Sequence, residues 1–75
     1  MDIIEQKIRE IIGKRADLSN TTAETKLTEI GLDSLDLVET MMEIEEAFGI
    51  EFGNEEILGL KIVGDVLNLV SAKKK

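Results

Sequence analysis

The chain has 75 residues with sixteen acidic and nine basic side chains, a net charge of −7, and no Cys, His, Trp or Tyr. That length suits one small domain. The absences exclude disulfides, metal sites built on imidazole or thiolate, and a serine nucleophile activated by a neighbouring histidine. Any thiol chemistry would have to come from a group added from outside. The charge is also unevenly placed: residues 27–60 hold ten acidic residues and no basic one. A field of one sign repels nucleic acid and attracts basic protein surfaces. No apolar stretch approaches the roughly 20 residues that span a bilayer. Met1 leads straight into Asp-Ile-Ile-Glu without a basic start, so a cytoplasmic protein is expected.

The first predicted helix runs from about Asp2 to Ile12. Ile4, Ile8, Ile11 and Ile12 recur at helical spacing, with Ile3 widening the stripe. Asp2 is placed to cap its start, and Gly13 to end it as a left-handed residue. Lys14 and Arg15 then follow at the negative end of the helix.

Residues 16–33 read as a long loop, rich in turn formers at Ser19-Asn20-Thr21-Thr22. Leu18, Leu27, Ile30 and Leu32 should pin it to the core, and a short helical turn near Ala23–Thr28 is compatible with the sequence.

The second helix is the clearest element, from Ser34 to Phe48. Gly49 stops it, and Ile50 falls where a Schellman motif places its apolar residue. Asp33 or Ser34 is its N-cap. Wound at about 100° per residue, this helix separates three stripes. Leu37, Met41, Ile44 and Phe48 form a core face. Asp36, Glu39, Glu43 and Glu46 form an acidic face. Leu35, Val38 and Met42 form a second apolar strip, with Glu45 beside it. A second strip either packs under another helix or meets a partner protein, where apolar anchors with a charged rim are the usual pattern.

A short third helix fits Asn54–Leu58, with Asn54 as cap and Gly59 as stop. The last helix covers about Val63 to Ala72, with Val63, Val66, Leu67 and Val70 facing inward and Gly64 weakening its first turn. Lys73-Lys74-Lys75 read as a disordered basic tail. Ile50-Glu51-Phe52 alternates but has no partner strand, so it is a loop segment docking two apolar side chains. The fold class is all-α: a small four-helix bundle of three longer helices and one short one, with a long first loop, forming one domain over residues 1–75.

Gly31-Leu32-Asp33-Ser34-Leu35-Asp36-Leu37-Val38-Glu39, continuing through Met42 and Glu45-Glu46-Ala47-Phe48 to Ile50-Glu51, resembles the recognition segment of acyl carrier proteins. The similarity extends loosely over the whole chain, including the Ile-rich first helix and Val-Gly-Asp-Val in the last. The resemblance implies a carrier with no catalytic activity of its own. Ser34 would bear a covalent 4′-phosphopantetheine whose terminal thiol holds acyl groups as thioesters, in fatty acid biosynthesis or a related specialised acyl pathway. It implies electrostatic partner contacts at Asp33, Asp36, Glu39, Glu45 and Glu46, and apolar ones at Leu35, Val38 and Met42. Partners would be a phosphopantetheinyl transferase and acyl-loading or acyl-using enzymes, met through basic surfaces by a monomeric carrier.

Three positions depart from the family's pattern. Gly53 stands where proline is usual, Ile62 where threonine commonly starts the last helix, and Leu58 with Leu60 makes the third-helix region more apolar. Read without the resemblance, Ser34 is simply a helix cap. An unmodified helical adaptor, and a carrier of aminoacyl groups, are the competing functions. A calcium loop fits poorly, because Asp33, Asp36 and Glu39 lack its ligand spacing and central glycine.

Overall fold

The computed structural model describes residues 3–74 of the chain. It contains four helices, α1 (Ile3–Gly13), α2 (Ser34–Phe48), α3 (Asn54–Leu58) and α4 (Val63–Lys74). Among the described residues there is no strand, only an isolated antiparallel bridge between Lys26 and Ile62. The architecture is the expected all-α one. The cap expected at Asp2 lies outside the described residues.

α1 buries Ile8, Ile11 and Ile12, with Ile4 packed at the core's edge. Ile3, expected to widen that stripe, is exposed instead. It sits about 100° around the helix from Ile4, on the solvent side. The end of α1 also differs from expectation. Gly13 is helical, and its φ is not positive: among the described residues only Gly31 and Gly49 are positive-φ glycines. The helix runs out through one tighter i−3 bond and one ordinary i−4 bond, the Arg15 and Ala16 amides both donating to the Ile12 carbonyl at 3.0 and 3.1 Å. Such bonds satisfy terminal carbonyls without a left-handed residue.

The long loop is pinned where the sequence indicates. Leu27 and Leu32 are buried, and Leu18 and Ile30 pack against the core. Residues 23–28 form turns and not a helical segment. Their backbone groups are spent on the start of α4. The Leu27 amide donates to the Lys61 carbonyl at 2.9 Å, the Val63 amide to Thr25 at 2.9 Å, and the Gly64 amide to Ala23 at 2.7 Å. A backbone group committed to a distant partner is not free for the i to i−4 ladder.

α2 begins and ends at the expected residues. Gly49 is left-handed at φ 68°, and the Ile50 amide donates to the Glu45 carbonyl at 3.2 Å, which is the long bond of a Schellman motif. Met41 and Ile44 are fully buried, while Leu37 and Phe48 flank them. Thr40 is buried too, its hydroxyl donating to the Asp36 carbonyl at 2.7 Å, so no polar atom is stranded there.

α3 matches its expected bounds, but Gly53 is its N-cap and Asn54 its first helical residue. The glycine has no side chain to cap with; Glu56 reaches back instead, accepting the Gly53 amide at 2.8 Å. In α4, Val63, Val66 and Val70 are buried and Leu67 is half-buried. Lys61 and Ile62 both donate their amides to the Asp65 carboxylate, at 2.9 and 3.1 Å. That satisfies the two amides that precede the helix; the Asp65 amide, which a threonine hydroxyl at position 62 could accept, donates instead to the Ile62 carbonyl at 3.0 Å. α4 extends two residues beyond Ala72, through Lys73 and Lys74, and Lys73 pairs with Glu56 at 2.9 Å. These two lysines are therefore helical, a correction to the disordered tail; Lys75 lies outside the described residues. No described helix is long and apolar enough to cross a membrane.

Candidate functional site at the start of helix α2

The first turn of α2 divides its work between two neighbours. Asp33 is extended (φ −86°, ψ −176°) and caps the helix, its Oδ1 accepting the Asp36 amide at 2.8 Å while its carbonyl takes the Leu37 amide at 2.9 Å. Ser34 is the first helical residue and is exposed. Among the described residues its hydroxyl has no hydrogen-bond partner. The sequence left Asp33 and Ser34 as alternative caps; the structure gives that role to Asp33. The amides at a helix start point outward with positive partial charge, which suits an anion attached at that position.

Ser34 and Asp33 stand on the rim of an open groove of about 750 Å³. Leu32, Leu37 and Val38 supply one wall, Ile57 and Leu58 of α3 another, and the bridged segments 26–28 and 60–62 close it. The groove is mainly apolar, and that follows from the residues: the apolar excess at Leu58 and Leu60, visible in sequence, is spent here. Lys26 and Lys61 on its lining were not singled out by the sequence reading, because nothing local signals that residues 26 and 61 meet across the fold.

The second apolar strip of α2 is a surface. Leu35 is 67 % exposed, Val38 37 % and Met42 52 %, so these side chains are not buried beneath another helix. Leu58, at 76 % exposure, also lines the Ser34 groove.

The acidic face is less uniform than helical winding suggests. Glu43 is tied to the end of α1, accepting from Lys14 at 2.5 Å and Arg15 at 2.8 Å. The Lys14 hydrogen bond, then the Arg15 one, hold its carboxyl below the usual range. Arg15 is correspondingly raised, chiefly by the Glu43 hydrogen bond and further by the charges of Glu39 and Asp36. Glu43 therefore serves the α1–α2 contact. Glu45 has an internal task as well, its Oε2 accepting the Phe52 amide at 2.6 Å; this holds the loop after α2. Asp33, Asp36, Glu39 and Glu46 have no ion-pair partner among the described residues. Around Ser34 the structure thus gathers Asp33, Leu35, Asp36, Val38 and Glu39, while Met42, Glu45 and Glu46 continue along α2 toward its C-terminal end.

Comparison with known proteins points the same way. A family model described as a phosphopantetheine attachment site matches residues 3–70. An acyl carrier protein of Rickettsia bellii is 38 % identical, with the match covering 99 % of this chain and 90 % of that one. An acyl carrier protein homolog of Mycoplasmopsis pulmonis is 46 % identical over 54 residues, covering 72 % of this chain and 74 % of the relative. The crystal structure of an acyl carrier protein from Thermotoga maritima superposes with a TM-score of 0.82 at 27 % identity, over 95 % of this chain and 91 % of that one.

Proposed function

This chain belongs to the acyl carrier protein family, and from that premise we propose that Ser34 bears the family's covalent 4′-phosphopantetheine. The observation that carries the assignment is the free, exposed Ser34 hydroxyl at a helix start, with its capping duty taken by Asp33. Among the described residues no side chain is hydrogen-bonded to the hydroxyl to take its proton; a separate transferase takes it. The Ser34 oxygen then attacks the pantetheine-side phosphorus of coenzyme A. A phosphodiester forms, the pyrophosphate bond breaks, and adenosine 3′,5′-bisphosphate leaves. The arm supplies a terminal thiol on which acyl groups ride as thioesters.

The chain's own residues contribute position and recognition. The outward amides of α2's first turn favour the phosphodiester. The apolar groove beside Ser34 suits an acyl cargo better than an aminoacyl one, whose ammonium would be poorly solvated there. Asp33, Asp36, Glu39 and Glu46, with the outer oxygen of Glu45, form the electrostatic part of a docking surface for basic enzyme faces. Leu35, Val38 and Met42 form its apolar part. Such contacts are brief and salt-sensitive, as a shuttle between enzymes requires. The proposed setting is fatty acid biosynthesis or a related specialised acyl pathway in the cytoplasm, served by a monomeric one-domain carrier.

Incubation with coenzyme A and a broad-specificity phosphopantetheinyl transferase, read by intact mass, tests the assignment. One added arm is expected on the native chain and none on Ser34→Ala. An unmodified native chain, or an arm on the alanine variant, would overturn it.

A further inference from the structure

The acidic face of α2 is met at one end by the chain's own cations. Asp36, Glu39 and Glu43 recur at helical spacing, so their side chains fall within about 60° of one another along about 10 Å of axis. Glu43 accepts from both Lys14 and Arg15. Those two residues follow α1 on ordered backbone: the Lys14 amide donates to the Ile11 carbonyl and the Arg15 amide to that of Ile12, both residues of the core. The pairs Lys7–Glu10 and Arg9–Glu5 stay within α1, and Lys73–Glu56 joins α4 to α3. Lys14 and Arg15 instead bring positive charge onto α2. Their influence reaches past Glu43: Arg15 is held above its ordinary pKa first by the Glu43 hydrogen bond and then by the charges of Glu43, Glu39 and Asp36.

We propose that Lys14 and Arg15 stand in for a partner's cations, an autoinhibitory contact that masks Glu43 and confines basic enzymes to the Asp36 and Glu39 end of the face, beside Ser34. This rests on the reading of that face as the docking surface. Two cations set against Asp36, Glu39 and Glu43 leave that stretch with one net negative charge. Lys14 remains 63 % exposed while paired, so its charge meets an approaching protein directly. The stretch is no longer than the Debye length of about 10 Å at 0.1 M salt, so the cations also repel a lysine or arginine arriving at Glu39. The chain thereby weakens its own attraction for basic surfaces and places what remains next to the attachment point.

The test measures transfer of the arm from coenzyme A by the broad-specificity transferase, as kcat/KM at low salt, on the full chain and three variants. Lys14→Gln/Arg15→Gln unmasks Glu43. Glu43→Gln removes the carboxylate and keeps the cations. The triple variant Lys14→Gln/Arg15→Gln/Glu43→Gln removes all three charges. Each variant breaks the same α1–α2 ion pairs, and all are compared at a temperature where circular dichroism shows them helical. Rates should nevertheless follow charge. Lys14→Gln/Arg15→Gln is expected to load about two- to fivefold faster than the native chain, the triple variant between those two, and Glu43→Gln about twofold slower than native. Added salt should draw the rates together. Three variants that all shift in one direction, or all match the native chain, would show a structural tie alone and overturn the proposal. A native chain that takes no arm, or Asp36→Lys/Glu39→Lys loading at the native rate, removes the docking surface itself, and with it the proposal; both are read before the three variants are compared.

Discussion

Gly64, in the first turn of α4, donates its amide to the Ala23 carbonyl at 2.7 Å, and a Cβ built on Gly64 would lie 3.0 Å from that oxygen and 3.2 Å from the Ala23 side chain. A residue that looks like a helix-weakening glycine is a place where the long loop packs tightly against the last helix. Gly64→Ala gains about 1 kcal/mol of helix propensity. It also forces apart a backbone contact, and overpacking of that kind costs about 1–3 kcal/mol. The steric cost should win, because the obstructing oxygen belongs to backbone that cannot swing away. Urea denaturation is expected to show a lowered midpoint with the slope unchanged.

The ion pairs at Glu43 give stability a specific dependence on acid. Lys14 and Arg15 hold the Glu43 carboxyl below its unfolded value. Its contribution is therefore present above the unfolded pKa and disappears as pH falls through the folded one. Glu43→Gln should be less stable than the native chain at neutral pH. The two midpoints should converge as pH falls below the usual carboxylate range, where the native carboxyl at last takes up its proton. Parallel denaturation curves across that range check this; a gap that persists at low pH would show that packing, not charge, is responsible.

Asp36→Lys with Glu39→Lys replaces two unpaired carboxylates near Ser34. Loading by the transferase at low salt should slow by about tenfold or more, since complementary charge acts mainly on association rate. Added salt should narrow the difference. Circular dichroism should show α2 retained, because the lost interaction with the helix dipole is worth only about 0.3–1 kcal/mol.

Asp65 gathers the Lys61 and Ile62 amides at the start of α4. Asp65→Ala leaves both to water and should cost about 0.5–2 kcal/mol, as for loss of a helix cap. Amide exchange at Lys61 and Ile62 should accelerate more than exchange in α2, which distinguishes loss of the cap from general unfolding.

The bounds of α2 and α3 were legible because their signals are local: Asp33 before a helical run, Gly49 with Ile50 after one, and Gly59 closing a short segment. The candidate site was legible for the same reason, being a continuous stretch in which helical winding separates Leu35, Val38 and Met42 from the core. The interaction of residues 23–27 with 61–64 was not, since backbone pairing across that separation leaves no periodic trace. Glu43 read as part of an open acidic stripe because its cations come from the end of another helix. Gly13 read as a left-handed stop, whereas α1 closes through bonds to the Ile12 carbonyl. At residues 23–27 and at Glu43 a tertiary contact decided between local options that the sequence permits equally; at Gly13 the choice was between two local endings.

Because Asp33 closes the end of α2 while the adjacent Ser34 oxygen takes no part in holding it, esterification of that oxygen breaks no bond on which the helix depends. Unloaded and loaded forms can share one folding equilibrium, so the chain can be primed, stripped and primed again without passing through an unfolded intermediate. Had the serine been the cap, a group attached to its oxygen would have competed with the bond that closes the helix.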